Sequence, residues 1–146
     1  MKIAIACDHA GFELKEQLVN WLKDLKYQVL DFGTNSADSV DYPDLAVPAA
    51  ESVAEGDSDF GIVICGSGIG MSIVCNKVKG VRSALCFNAE YAELARKHND
   101  ANVLNLGARF IDLETAKNIC NVFLNEKFEG NRHLKRVNKI HDLTGC

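Results

Sequence analysis

Apolar positions along this chain alternate between two rhythms. Short apolar runs, residues 2–7, Val29 to Phe32, Phe60 to Ile64, Val81 to Phe87 and Val103 to Leu106, have the length and continuity of buried strands. Between them, apolar residues recur at helical spacing with Lys and Glu interposed. The clearest case is Phe12 to Leu25, where Phe12, Leu14, Leu18, Val19, Leu22 and Leu25 share one face. Pro43 suits the first turn of a second helix that continues from Leu45 to Val53. Further helices are predicted over Met71 to Val78, Glu90 to His98, Thr115 to Leu124 and Leu134 to Leu143. The segment Thr34 to Asp41 is polar and aperiodic and is predicted to be a loop.

Strand and helix alternate to the end, where two helices follow one another. That order predicts a three-layer α/β/α sandwich around a five-stranded, Rossmann-like parallel sheet, plus a C-terminal helix. No repeat, low-complexity tract or long linker divides the chain, so residues 1–146 are expected to form a single domain.

Composition narrows the function classes. A net charge of −4 argues against a dedicated nucleic-acid binder. Basic residues nevertheless crowd the C-terminal end, with Lys127, Arg132, His133, Lys135, Arg136, Lys139 and His141, which leaves room for a local anion site. No apolar run approaches the ~20 residues of a membrane span, and the first apolar run is too short for a signal peptide. The six cysteines, at 7, 65, 75, 86, 120 and 146, include no Cys-x-x-Cys pair and no zinc-like spacing. They are expected to be reduced cytoplasmic thiols, mostly acting as small buried hydrophobes.

The segment Cys65-Gly66-Ser67-Gly68-Ile69-Gly70 carries the most chemical information. It joins a predicted strand to a predicted helix and sets a thiol beside a loop rich in bare backbone N–H groups. In parallel sheets ligands sit beyond the carboxyl ends of the strands. Asp8-His9, Cys65-Gly66-Ser67, Asn88, His98-Asn99-Asp100 and Gly107-Ala108-Arg109 are therefore expected to meet on one rim. Each also has a plain structural alternative. Asp8 could cap a helix, Ser67 could close a turn, His98 could face a helix dipole and His9 could sit in a surface loop. His133 and His141 read as solvated surface residues.

Three familiar phosphate motifs fit the glycine loop poorly. A dinucleotide loop needs Gly-x-Gly-x-x-Gly after the first strand, and the spacing here is Gly-x-Gly-x-Gly after the third. A cysteine phosphatase would need arginine where Met71 stands, and a Walker loop would end in Gly-Lys-Ser/Thr. What remains is an anion or oxyanion site beside a thiol. Thiolates are favoured at helix N-termini, and a base poised near the working pH suits carbon deprotonation, with the N–H groups stabilising the oxyanion formed.

Several further segments occur together with this loop: Asp8-His9-Ala10-Gly11, Tyr42-Pro43-Asp44, Asn76-Lys77, Arg82, His98-Asn99, Asn105-Leu106-Gly107-Ala108-Arg109 and the Arg132/Arg136 pair. As a set they closely resemble the type B ribose-5-phosphate isomerase family over essentially the whole chain. That family also includes allose-6-phosphate isomerases and galactose-6-phosphate isomerase subunits. The resemblance implies a metal-free aldose–ketose isomerisation of ribose 5-phosphate and ribulose 5-phosphate, as in the pentose phosphate pathway. It implies no metal or other cofactor, that Cys65 moves a proton between C2 and C1, and that His98 opens the sugar ring with help from Ser67 and Asp8. Gly66, Ser67, Gly68, Ile69, Gly70 and Asn99 would hold the reacting oxygens. His9, Arg109, Arg132 and Arg136 would bind phosphate or sugar, and Tyr42 would form a pocket wall. The resemblance further implies a homodimer, or a dimer of dimers, with sites shared between subunits.

A second branch of the family places a glutamate base just after the last loop glycine. Met71 occupies that position here, so the chain resembles the cysteine branch. Arg132 and Arg136, four residues apart, would present two guanidinium forks from one helix face to one anion. A six-carbon phosphosugar isomerase of the same family, or a non-catalytic phosphosugar-binding module, remains open at this point.

Overall fold

The computed structural model describes residues 1–146. The elements in chain order are β1 (Lys2–Cys7), a 3-10 turn (His9–Gly11), α1 (Phe12–Asp24), β2 (Gln28–Asp31), α2 (Pro43–Ala54), β3 (Phe60–Cys65) and α3 (Ile69–Cys75). They continue with β4 (Ser83–Leu85), α4 (Ala89–Asn99), β5 (Val103–Gly107), α5 (Leu113–Asn125) and α6 (Asn131–Thr144). All five strands are parallel, in the order β2-β1-β3-β5-β4. The α/β/α sandwich expected from the alternation is the architecture found.

Alternation along each strand sorts the core into two layers. Ile3, Ile5, Cys7, Ile62, Ile64, Leu104 and Leu106 face α1, α4 and α5, where Leu18, Leu22, Ile119 and Phe123 are fully buried. Ala4, Ala6, Val63, Cys65 and Val103 face α2 and α3. Small residues dominate there, Ala4 and Ala6 against Ala46, Ala49 and Ala50, so α2 can lie close to the sheet. Helix α6 lies outside this sandwich, against α4.

Chain direction across the sheet reverses between β1 and β3. Their register pairs Cys7 with Ile64, and β3 with β5 pairs Cys65 with Gly107. The segments leaving β1, β3 and β5 thus emerge side by side at the carboxyl edge, flanking the crevice that parallel sheets use for ligands.

Some boundaries differ from the periodicity. β4 spans only Ser83–Leu85. Val81 N–H closes a turn onto Val78, and Arg82 N–H is taken by the Asn102 side chain at 2.8 Å, so pairing begins later than the apolar run. Helix α3 starts at Ile69, two residues before Met71, because Gly68 adopts φ 77° and turns the chain straight into the helix. A Cβ on Gly68 would also lie 2.3 Å from Leu85.

One buried charge anchors the sheet edge. Lys15 of α1 is fully buried, with Nζ 2.7 Å from Asp31 Oδ2 and 3.1 Å from Glu16 Oε1. Burial disfavours its charge, but the bonds to Asp31 and Glu16 outweigh that and hold the ammonium above the ordinary lysine range. The other Asp31 oxygen accepts the Gly33 N–H at 2.9 Å, and Gly33 and Thr34 then bond to Cys7. The pair therefore extends β1 pairing into the loop that leads to Tyr42. Asp31→Ala should destabilise the fold by about 2–3 kcal/mol in denaturant melts. That is below the cost for a fully enclosed pair because the Asp31 side chain keeps 31% exposure. The double variant Lys15→Met/Asp31→Ala should recover most of the loss.

Candidate active site

At the carboxyl edge a cavity of about 240 Å³ is lined by Asp8, His9, Tyr42, Cys65, Ser67 and Arg109, among others. Asp8 follows β1 directly, and its Oδ1 accepts the N–H groups of Ala10 at 2.9 Å and Gly11 at 3.2 Å. It therefore does cap the turn beneath it, while Oδ2 makes no hydrogen bond within the chain. His9 Nδ1 accepts the Val40 N–H at 3.4 Å. That bond assigns the proton to Nε2, which is left as a donor. Tyr42 precedes Pro43 at the start of α2 and lies over the glycine loop, where a Cβ on Gly70 would fall 2.8 Å from its ring.

Cys65 ends β3 and is 4% exposed, and its Sγ accepts the Gly68 N–H at 3.1 Å. A backbone N–H is the partner a thiolate takes. Burial pushes Cys7 up to about 11 and Cys75 and Cys86 up to about 12, and raises Cys120 further, so all four stay protonated near neutrality. Ser67 Oγ accepts the Ile69 N–H at 3.3 Å, which is the turn role open to it. The amides of Gly66 and Ser67 have no partner in the chain. That of Gly70 lies in the first turn of α3, where helical amides lack one. Arg109 is anchored through its N–H to Gly66 O at 3.1 Å and closes the cavity from the β5 side.

The expectation of a single rim fails for His98 and Asn99. They form the last turn of α4, and a helix between parallel strands must run back against them. That turn is delivered to the amino edge of the sheet. The five residues of β5 separate the two edges by roughly 16 Å at about 3.3 Å per residue. Arg132 and Arg136 begin α6 at the same amino edge, where Glu129 N–H bonds to Lys97 O at 3.1 Å. Within one chain the predicted site therefore consists of two halves.

His133 is also at the amino edge, and it is buried rather than solvated. Its ring stacks on His98 with centroids 4.3 Å apart and planes 8° from parallel. Glu129 Oε2 lies 3.9 Å from His98 Nε2 and 3.7 Å from His133 Nε2. These three residues are the candidate metal ligands of the chain, with donor atoms all within 4.8 Å. The parallel rings direct their nitrogen lone pairs alongside each other instead of toward a common point, so the arrangement suits a stacked pair better than a chelate. The other surface histidine of the sequence reading, His141, is half-buried and accepts from Arg82 Nη1 at 3.1 Å.

Comparison with known proteins identifies the group. The sequence pattern of the family described as Ribose/Galactose Isomerase matches residues 3–140. The chain belongs to that family. It is 46% identical over 139 residues to ribose-5-phosphate isomerase B of Escherichia coli, covering 95% of this chain and 93% of that one. Among solved structures, ribose-5-phosphate isomerase B of Clostridium thermocellum superposes with a TM-score of 0.98 at 48% identity, covering 99% of this chain and 98% of that one. Ribose-5-phosphate isomerase B of Mycoplasma genitalium, solved with bound ribulose-5-phosphate, gives a TM-score of 0.95 at 42% identity over 99% and 96%.

Glu129 and His133 escaped the sequence reading. Glu129 lies in the turn before α6, whose backbone bonds to Lys97 O, and that tertiary contact, which no local spacing announces, brings it to both rings.

Burial lowers the pKa of His133 below its usual 6.5, with the neighbouring His98 and Arg132 adding to the effect. The unfolded chain thus binds this proton more readily than the folded one, so stability should fall as pH drops through the region just below 6.5. Tm measured from pH 7.5 to 5 should decline, and His133→Gln should flatten that decline.

Proposed function

We propose that the protein interconverts ribose 5-phosphate and ribulose 5-phosphate through an enediolate, with Cys65 as the carbon base and no metal cofactor. The observation that carries this proposal is the Cys65 thiol held by the Gly68 N–H under unpartnered loop amides, in a cavity shared with Asp8, His9 and Arg109. The Cys65 thiolate takes the C2 proton of the open-chain aldose. The C2–H electron pair becomes the C1=C2 bond, and negative charge moves onto the former carbonyl oxygen. The amides of Gly66, Ser67 and Gly70 stabilise that charge, with the Asn99 side chain adding a donor. The Cys65 thiol then returns its proton to C1, while the proton on the C2 oxygen passes to the C1 oxygen, giving the ketose.

His98 opens the furanose by protonating the ring oxygen as the anomeric hydroxyl loses its proton, assisted by Ser67 and Asp8. The His9 Nε2–H and the guanidinium groups of Arg109, Arg132 and Arg136 hold the phosphate and sugar hydroxyls. Tyr42 walls the pocket.

This chemistry requires two copies of the chain, since one chain holds the Cys65 and His98 halves at opposite edges of the sheet. A homodimer that sets one copy's Cys65 half against the other's His98 half completes two sites at once. The exposed apolar residues Ile69 and Ile73 on α3, Tyr91 and Leu94 on α4, and Phe110 beside β5 support such a contact. The free state of all six cysteines supports a cytoplasmic setting. No helix is long and apolar enough to cross a membrane.

Purified protein with a chelator present should convert ribose 5-phosphate to ketose, and Cys65→Ala should lower kcat on the order of 10²–10⁴-fold. Full activity in Cys65→Ala would remove the thiol from the chemistry. Faster turnover of allose or galactose 6-phosphate would move the substrate to six carbons, and binding without ketose formation would leave only a phosphosugar-binding protein. Cys65→Ala and His98→Asn chains, each inactive alone, should regain about a quarter of wild-type activity when unfolded and refolded together. Half the dimers are then mixed, and each mixed dimer has one intact site. No recovery would refute the shared site.

A further inference from the structure

Arg82 precedes β4 at the amino edge and lies against the last turn of α4. Its Nε donates to two helix-end carbonyls, Asn99 O at 3.1 Å and Asp100 O at 2.9 Å. Its Nη2 meets Asp100 Oδ2 at 3.1 Å, and its Nη1 donates to His141 Nε2 on α6 at 3.1 Å. The backbone of Arg82 is itself fixed. Asn102 Oδ1 accepts its N–H at 2.8 Å, and its carbonyl accepts from Asn102 and Val103. Asp100 is the αL residue that ends α4, with φ 47°, and its second oxygen is held by Arg96 Nη1 at 2.8 Å.

We propose that Arg82 is a positioning residue for the His98–Asn99 corner, its guanidinium clamping the two carbonyls and the carboxylate that end α4. The carbonyls of a helix C-terminus lack intrahelical partners, and a cation there satisfies them. A planar fork that reaches two carbonyls, a carboxylate and an imidazole at once leaves the peptides that follow Asn99 and Asp100 little freedom to rotate, and these join directly to His98. A lysine, with one point charge, cannot make that set of contacts. Through His141 the same side chain braces the corner against α6, the helix that carries Arg132 and Arg136. Arg82 touches no reacting atom, and its effect on turnover runs through His98.

This role rests on the ring-opening assignment made to His98 above, so the experiment separates the two steps of the reaction. Ribulose 5-phosphate has no furanose form, because the hydroxyl that would close the ring carries the phosphate. Exchange of its C1 hydrogen with solvent deuterium therefore reports the Cys65 step alone. Ribose 5-phosphate must open first. Arg82→Lys and Arg82→Gln should both lower kcat on ribose 5-phosphate by about 10-fold or more, while exchange into saturating ribulose 5-phosphate falls far less, by no more than the loss of the Asn99 donor, which Asn99→Ala run alongside measures. The primary isotope effect with C2-deuterated ribose 5-phosphate should shrink toward unity, because ring opening becomes limiting. A merely structural loss lowers both rates together and leaves the isotope effect intact, and that result would overturn the proposal. Recovery by lysine would overturn it as well. Asp100→Asn, which keeps the carbonyl contacts, serves if the Arg82 variants do not fold, and it should show the same selectivity to a smaller degree. His98→Asn run alongside identifies which assignment is at fault. If it too lowers both rates equally, the ring-opening role falls and takes that of Arg82 with it. If it is selective where the Arg82 variants are not, only Arg82 loses its role.

Discussion

A helix that joins parallel strands must run back against them, and the whole arrangement of this chain's chemistry follows from that constraint. Residues leaving a strand, Asp8, His9, Cys65 to Gly70 and Arg109, are delivered to the carboxyl edge. Residues ending α4 or beginning α6, His98, Asn99, Arg132 and Arg136, are delivered to the amino edge. One edge holds a thiol, a carboxylate and an array of free amides. The other holds an acid–base imidazole and paired guanidiniums. Neither is sufficient for a reaction that opens a ring and then moves a carbon-bound proton. The homodimer proposed above is the arrangement that would supply both at one sugar.

Cys7, Cys75, Cys86 and Cys120 occupy the two core layers, and desolvation holds each in the neutral form. What distinguishes Cys65 is its place at the very end of β3, where the chain turns through Gly68 at positive φ and points that residue's N–H at Sγ. The close approach of Leu85 and of the Leu106–Gly107 backbone leaves Gly68 no room for a side chain. The glycine is thus required twice, by conformation and by packing. The donor to sulfur is a by-product of both.

Much of this was legible in the sequence because the decisive features are local. Apolar runs and helical spacing place every strand and helix, and the segment around Cys65 declares its chemistry through adjacent residues. The errors share a different character. The Val81–Phe87 run overstates β4 because the pairing of Arg82 with an Asn102 side chain is a tertiary event. Composition groups His98 with the carboxyl-edge residues, whereas its position depends on helix direction and falls at the other edge. His133 reads as solvated from its basic surroundings, yet it is buried by stacking on a residue 35 positions earlier. Periodicity reports which face of an element is covered, and says nothing of which single partner covers it.

Each half of the site is pinned by an ion pair that also grips backbone. At the carboxyl edge Lys15 holds Asp31, whose second oxygen holds Gly33 and so the loop leading to Tyr42. At the amino edge Arg82 and Arg96 share Asp100, and Arg82 also takes the carbonyls that end α4. Ion pairs removed from water contribute little net stability, because desolvation consumes most of the attraction. Their value here is directional. A carboxylate with two oxygens, one on a cation and the other on a neighbouring N–H or second cation, fixes an angle as well as a distance. Apolar packing of α1 or α4 against the sheet tolerates small sliding, and a loop or helix end carried on that packing would slide with it. In the proposed dimer, acid–base groups meeting across two chains would have little tolerance for such movement, and the rigid attachments do fall where each half-site joins the sheet.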